Sequence, residues 1–171
     1  MSAAPAWLPP VMSLNDHGSD WRRYIDAVYA VFHRDFIASQ PRYNGLWVRC
    51  RRDPICDGKE AGFWHCTSEG RDELQRRPDL RRCERIGWVR AVIENAADPS
   101  VDVWPSVRGG ETRWVLWFGE EFLVVLAPRP WKADRPRYMQ LVTAHCTLTE
   151  HEKRRMRRDR DETRKRQTPP S

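Results

Sequence analysis

VDVWPSVRGGETRWVLWFGEEFLVVLAPR, residues 101–129, followed by YMQLVTAHCTL, residues 138–148, is the stretch that sets the fold class. Apolar and polar residues alternate with a period of two, the mark of half-buried strands. Gly109-Gly110 separates the first pair of runs, and Gly119-Glu120 separates the second. The first is a hairpin signal, and the second is where the next pair turns. The third connection, PWKADRPR, reads as a longer Pro-rich basic loop. Four strands in an antiparallel meander follow from this pattern.

Upstream, the period becomes helical. Ser19 or Asp20 can cap WRRYIDAVYAVFHRDFI, which places Tyr24, Val28, Val31 and Phe32 on one face of a helix running to about Ile37. GLWVRCRR reads as a short strand, and GFWHCTS as a second extended segment. PDLRRCERIGWVRAVIENAADPS reads as a helix that falters at Gly87, then a second helix over about residues 89–96. Helices that precede a meander can cover one of its faces, so the expected class is α+β. Downstream, residues 149–166 form a polar helix with almost no apolar face, which either protrudes or docks on something charged. The expected organisation is a flexible Pro/Ala/Ser lead at 1–18, a single α+β domain at 19–148 and a charged helical tail at 149–171.

The 171 residues carry a net charge of +6, which favours a polyanionic partner such as RNA or another nucleic acid. Residues 150–166 hold nine Lys/Arg against five Asp/Glu, so most of that excess sits in the tail. The five cysteines are irregularly spaced, which argues against a disulfide framework and for reduced thiols in the cytoplasm. The N-terminus lacks a basic region followed by an apolar run, and FLVVLA is too short to span a bilayer, so no membrane partner is expected.

Three constellations have chemical potential. Cys50, Cys56, His65, Cys66, Cys83 and Cys146 lack the close paired spacing of structural zinc sites. Cys66 as a nucleophile would need a base, and on an extended segment His65 points to the opposite face. The third set is His65, Ser68, Arg81, Arg82, Arg85, Tyr138, Thr143 and His145. Metal-free RNA cleavage needs a base at the ribose 2′-OH, an acid at the leaving 5′-oxygen and cations on the phosphorane. Histidine suits the first two roles and arginine the last. On a helix Arg81 and Arg85 share a face, with Arg82 beside them; the bland alternative is a solvated face. On the last strand Thr143 and His145 share a face with Met139 and Leu141, while Tyr138, Gln140, Val142 and Ala144 lie opposite. No cofactor or metal is called for.

The layout of helices before strands ending in EFLVVLAPR and YMQLVTAH resembles the barnase–EndoU–colicin–RelE superfamily of metal-independent ribonucleases, in its phage and polymorphic-toxin branch. The strings FWH, SEG and PDLRRCERI are also similar to those of a group of bacterial proteins without an assigned activity, over about residues 35–152. The resemblance implies an endoribonuclease-like domain of toxin or mobile-element origin, with RNA as substrate and a cognate antitoxin or host protein as partner. It implies His65 as general acid or base, Arg82 and Arg85 on the scissile phosphate, and Thr143 hydrogen-bonded to a phosphate oxygen. Arg81, Ser68 and Tyr138 would assist in binding. His145 replaces the aromatic residue common after LVTA, and is either a second acid/base or the sign of an altered site. The alternatives are a non-catalytic nucleic-acid-binding protein, or a protein-interaction module on the same fold.

Overall fold

The computed structural model describes residues 4–72, 75–130 and 137–167. The chain forms α1 (Trp21–Phe32), which widens into a π-helical turn (His33–Ile37), then β1 (Arg42–Tyr43) and β2 (Leu46–Cys50). Next come α2 (Ala61–Thr67), β3 (Ser68–Glu69), β4 (Arg77–Pro78), α3 (Leu80–Glu84) and α4 (Ile86–Glu94). The long strands β5 (Val101–Arg108), β6 (Glu111–Phe118), β7 (Phe122–Arg129) and β8 (Tyr138–Cys146) follow, and α5 (Glu150–Gln167) closes the chain. The expected Pro-rich basic connection lies mostly outside the described residues, as does most of the QTPPS end.

The α+β class holds, but the sheet is larger than four strands and it is mixed. Six strands lie in the order β1-β2-β8-β7-β6-β5. Strands β5 to β8 pair antiparallel in sequence order, and β2 adds parallel to β8 through Val48↔Met139 and Cys50↔Leu141. Gly109 and Gly110 both have positive φ, as a two-residue I′-type turn between Arg108 and Glu111 requires.

A bulge changes the faces of β8. Val125 pairs with Thr143 and Leu126 with Leu141, so Val142 is an extra residue. Met139 and Leu141 therefore join the helix-side core with Val124 and Ala144, while Thr143 and His145 lie on the opposite, outer face with Val125 and Leu123. This corrects the expectation of one shared face, which assumed unbroken alternation.

The helix-side core gathers Tyr24, Val28, Phe32, Phe63, Val89 and Val92 against the sheet. Asp20 caps α1 by accepting from the Arg23 amide at 3.1 Å. Asp79 caps α3 by accepting from the Arg81 and Arg82 amides. The helical run breaks at Arg85, two residues before Gly87; Gly87 itself packs close to Pro9, where an added Cβ would stand 3.2 Å from the proline ring. Residues 4–18, expected as a flexible lead, lie along these helices: Trp7 donates to Asp98 at 2.9 Å, and Trp88 donates to the Pro9 carbonyl at 2.9 Å. On the outer face Met156 of α5 completes a smaller cluster with Trp104, Val115, Trp117 and Leu123. The tail thus docks on its own sheet.

GFWHCT, residues 62–67, is helix rather than strand, and Ser68 alone of this run is extended, in β3. The Ala61 and Gly62 amides donate to the Arg52 and Arg51 carbonyls, which starts α2 directly against the chain leaving β2. Phe63, Cys66 and Thr67, spaced three and four apart, form its buried face.

Candidate functional site

The outer face of the sheet and α5 enclose a cleft of about 110 Å³. Val115, Leu123 and Val125 form its floor. Ser106 and Arg108 enter from β5, Arg113 from β6, and Thr143 and His145 from β8, with Arg155 and Met156 above. Cross-strand pairing explains the grouping: Ser106 faces Arg113, Val125 faces Thr143, and Leu123 faces His145. The cleft has the size and the cations for a single phosphate group.

His145 is pushed down to about 4, first by burial and then by the positive charge of Arg82, with Arg155 and Arg108 adding to it. It is therefore a neutral imidazole at physiological pH. Glu152 opposes the depression but does not overcome it. That carboxylate is occupied at the start of α5, where it accepts from the Leu148 and Thr149 amides at 3.0 Å while the Thr149 hydroxyl accepts from the Glu152 amide. These reciprocal bonds form a capping box and hold Glu152 below the usual carboxylate range.

The other expected residues have different duties. The Thr143 hydroxyl donates to the His65 carbonyl at 3.1 Å, tying α2 to β8 beyond the point where β2 stops pairing. With its proton engaged there, Thr143 has only lone pairs to offer a phosphate oxygen, which needs a donor. The bond brings the His65 backbone beside the cleft, but the His65 ring is not among the groups lining it. Ser68 is fully buried; its hydroxyl donates to the Trp64 carbonyl and accepts from Arg76 Nε at 3.0 Å. The Ser68 carbonyl accepts from Arg76 Nη2 at 2.8 Å and from Arg82 Nη1 at 3.0 Å. Arg82 Nε also lies 3.3 Å from the Asp79 carboxylate. Arg82 is thus a structural clamp on the α2–α3 connection that acts on His145 through its charge.

Arg85 stacks over Trp88, 5.0 Å from the ring centre, and donates to Glu84 and the Arg81 carbonyl. Arg81 and Arg85 border a separate groove with Cys146, whose side chain alternates to the face opposite His145. Tyr138 stands at the start of β8, seven residues or roughly 20 Å from His145. The eight expected residues therefore do not converge. The structure groups Thr143 and His145, places Arg82 within electrostatic reach, and adds Ser106, Arg108, Arg113 and Arg155. The hairpin arithmetic had the signal for three of these: a two-residue turn at Gly109-Gly110 makes Arg108 face Glu111 and Ser106 face Arg113.

A larger groove of about 790 Å³ runs along α1, with Trp21, Arg22, Asp26, Lys59 and Trp64 among its walls. It mixes both charge signs, with Lys59 paired to Asp26 at 3.2 Å, and none of the expected residues reaches it. Cys66 and Cys83 are buried thiols, each pushed up to about 12 mainly by burial, so Cys66 is unsuited to nucleophilic attack. On helix α2 the His65 and Cys66 side chains do not alternate to opposite faces as on a strand, and it is burial that shields Cys66. Among the described residues no three His, Cys, Asp or Glu side chains come together as metal ligands, and no helix is long and apolar enough to cross a membrane.

No protein-family model matches this chain, and no curated protein or solved structure matches it. The ribonuclease-like resemblance therefore rests on its sequence motifs alone.

Proposed function

We propose that this chain acts on RNA as a metal-independent endoribonuclease-like domain, with a phosphodiester held in the cleft beneath α5. The observation that carries this reading is the convergence of His145 with Arg108, Arg113 and Arg155 around one phosphate-sized space. The arginines offset phosphoryl charge, and neutral His145 accepts the proton of the attacking 2′-OH. The 2′-oxygen bonds to phosphorus as the bond to the 5′-oxygen breaks, and that oxygen takes a proton from solvent water. The products are a 2′,3′-cyclic phosphate and a 5′-hydroxyl. Bound phosphate also offsets the arginine charges that depress His145, which raises its basicity where it is needed. A toxin-like role in the cytoplasm, with an antitoxin or host protein as partner, belongs to the same proposal.

The test is incubation of RNA with purified protein in EDTA, with end-group analysis of the products. Cleavage to cyclic-phosphate ends that His145→Ala lowers at least about a hundredfold is the expected result. Arg85→Ala, outside the cleft, should change the rate less than about threefold. Cleavage that survives His145→Ala removes the catalytic role assigned here.

The low basicity of His145, and the absence of a second imidazole from the cleft lining, favour a second reading: nucleic-acid binding without cleavage. It expects RNA to bind intact, with a log–log salt slope of roughly −0.7 for the one phosphate neutralised in the cleft.

A further inference from the structure

The outer face of the sheet continues past the cleft toward β1. Counting the bulge, Gln140 and Tyr138 lie on the same face of β8 as His145. The parallel register sends Val48 inward with Met139 and Arg49 outward with Gln140, and Trp47 alternates outward as well. Two arginine–aromatic stacks follow in succession. Arg49 lies over Tyr138 at 5.2 Å, and Arg42 lies over Trp47 at 3.9 Å from the ring centre. Trp47 is 42% exposed, a large apolar surface with no core to serve.

Beside these stacks, Arg49, Arg51, Arg52, Tyr138 and Gln140 border a groove of about 580 Å³. Arg113 on the cleft wall and Arg129, whose Nε donates to Gln140 at the groove's border at 2.8 Å, link the two. Among the described strand residues on this part of the face, Glu111 is the one acid, and it is paired with both of those arginines. The strip is therefore basic and aromatic from the cleft to the β1–β2 edge.

We infer that a single strand of nucleic acid crosses the sheet from the cleft onto β2, stacking bases on Tyr138 and Trp47 and placing phosphates against Arg49 and Arg42. Aromatic platforms interleaved with cations bind unpaired bases, because each base must present a free π-face. A duplex keeps its bases stacked on one another and cannot use Trp47 or Tyr138 in this way. The groove volume is that of a site for one nucleotide-sized group. The inference deepens the proposed function and rests on its placement of a phosphate in the cleft.

The roughly 20 Å along β8 correspond to about six nucleotides at stacked spacing. A dinucleotide therefore reaches the cleft alone, and a strand of about ten nucleotides reaches both ends. Binding of fluorescein-labelled 2′-O-methyl oligonucleotides of these two lengths, followed by anisotropy, separates the two claims. Trp47→Ala and Arg49→Gln should each weaken the long strand by about tenfold, with the loss confined to that strand. Arg155→Ala should weaken both lengths. Trp47 is half-exposed, and a thermal melt confirms that each variant is folded. Long-strand affinity that is unchanged in both Trp47→Ala and Arg49→Gln overturns the strip and leaves the cleft standing. A wild-type protein that binds neither oligonucleotide overturns the cleft reading itself. A duplex that binds as tightly as the single strand overturns the choice of an unpaired ligand.

Discussion

His145 shows how one side chain reports on its surroundings. Its folded form titrates at about 4, while an unfolded histidine titrates near 6.5. Between those values the unfolded chain binds the extra proton, so stability rises with pH across the window. The contribution is fully present above 6.5 and is lost as pH falls toward 4. His145→Gln, which cannot titrate, should remove about 2 kcal/mol of this acid loss, measured as the difference in urea stability between about pH 7 and about pH 4.5. An acid limb as steep as that of the wild type would assign the loss to other groups. Gly62 makes a different demand, for space. A Cβ there would stand 2.8 Å from Cys50 Cβ and 3.0 Å from the Arg51 carbonyl oxygen, so the β2–α2 junction has to shift. Gly62→Ala should cost about 1–3 kcal/mol in the same unfolding assay, and an unchanged midpoint would refute the close packing.

At the scale of elements, α5 and α2 illustrate two ways in which context overrides local pattern. α5 buries Met156 alone among its residues. Ion pairs hold the rest: Arg160 and Arg164 each reach Asp102 at 2.6 Å, and Arg157 pairs with Glu120 through two contacts. Trp104 Nε1 donates to Asp159 at 2.8 Å. Asp102→Asn should therefore speed amide exchange over residues 150–167 by about tenfold while β7 and β8 stay protected, and added salt should act in the same direction. Uniform exchange across both regions would contradict an electrostatic latch. For α2, the aromatic and β-branched residues of GFWHCTS suit a strand by propensity. The approach of Gly62 to β2 and the burial of Phe63, Cys66 and Thr67 select the helix instead.

For the whole molecule, the curled sheet separates two environments. The helix-side core is large and holds the buried thiols Cys66 and Cys83. The outer face carries the small cluster under α5 and the basic strip beyond it. In the native protein at about pH 8, iodoacetamide should label the partly exposed Cys56 and spare Cys66 and Cys83 until the chain unfolds, as mass mapping would show. Equal native labelling would mean that the core opens readily.

Much of this architecture could be read from residue order. Period-two alternation located β5 to β8, the paired glycines located the first hairpin, and Ser19-Asp20 marked the start of α1. These features are local: each depends on neighbours a few residues apart. The parallel addition of β2 to β8, the bulge at Val142 and the helical form of residues 61–67 are not local. They arise where segments distant in sequence compete for the same buried surface and hydrogen bonds, and a single extra residue is enough to exchange the faces of a strand. The candidate site followed the same division. Thr143 and His145 were visible as polar residues near a strand end, and Arg108 and Arg113 were within reach of hairpin register. Arg155 joined them only because α5 folds back over the sheet, and Arg81, Arg85 and Tyr138 were kept apart by faces and distances that tertiary structure alone decides.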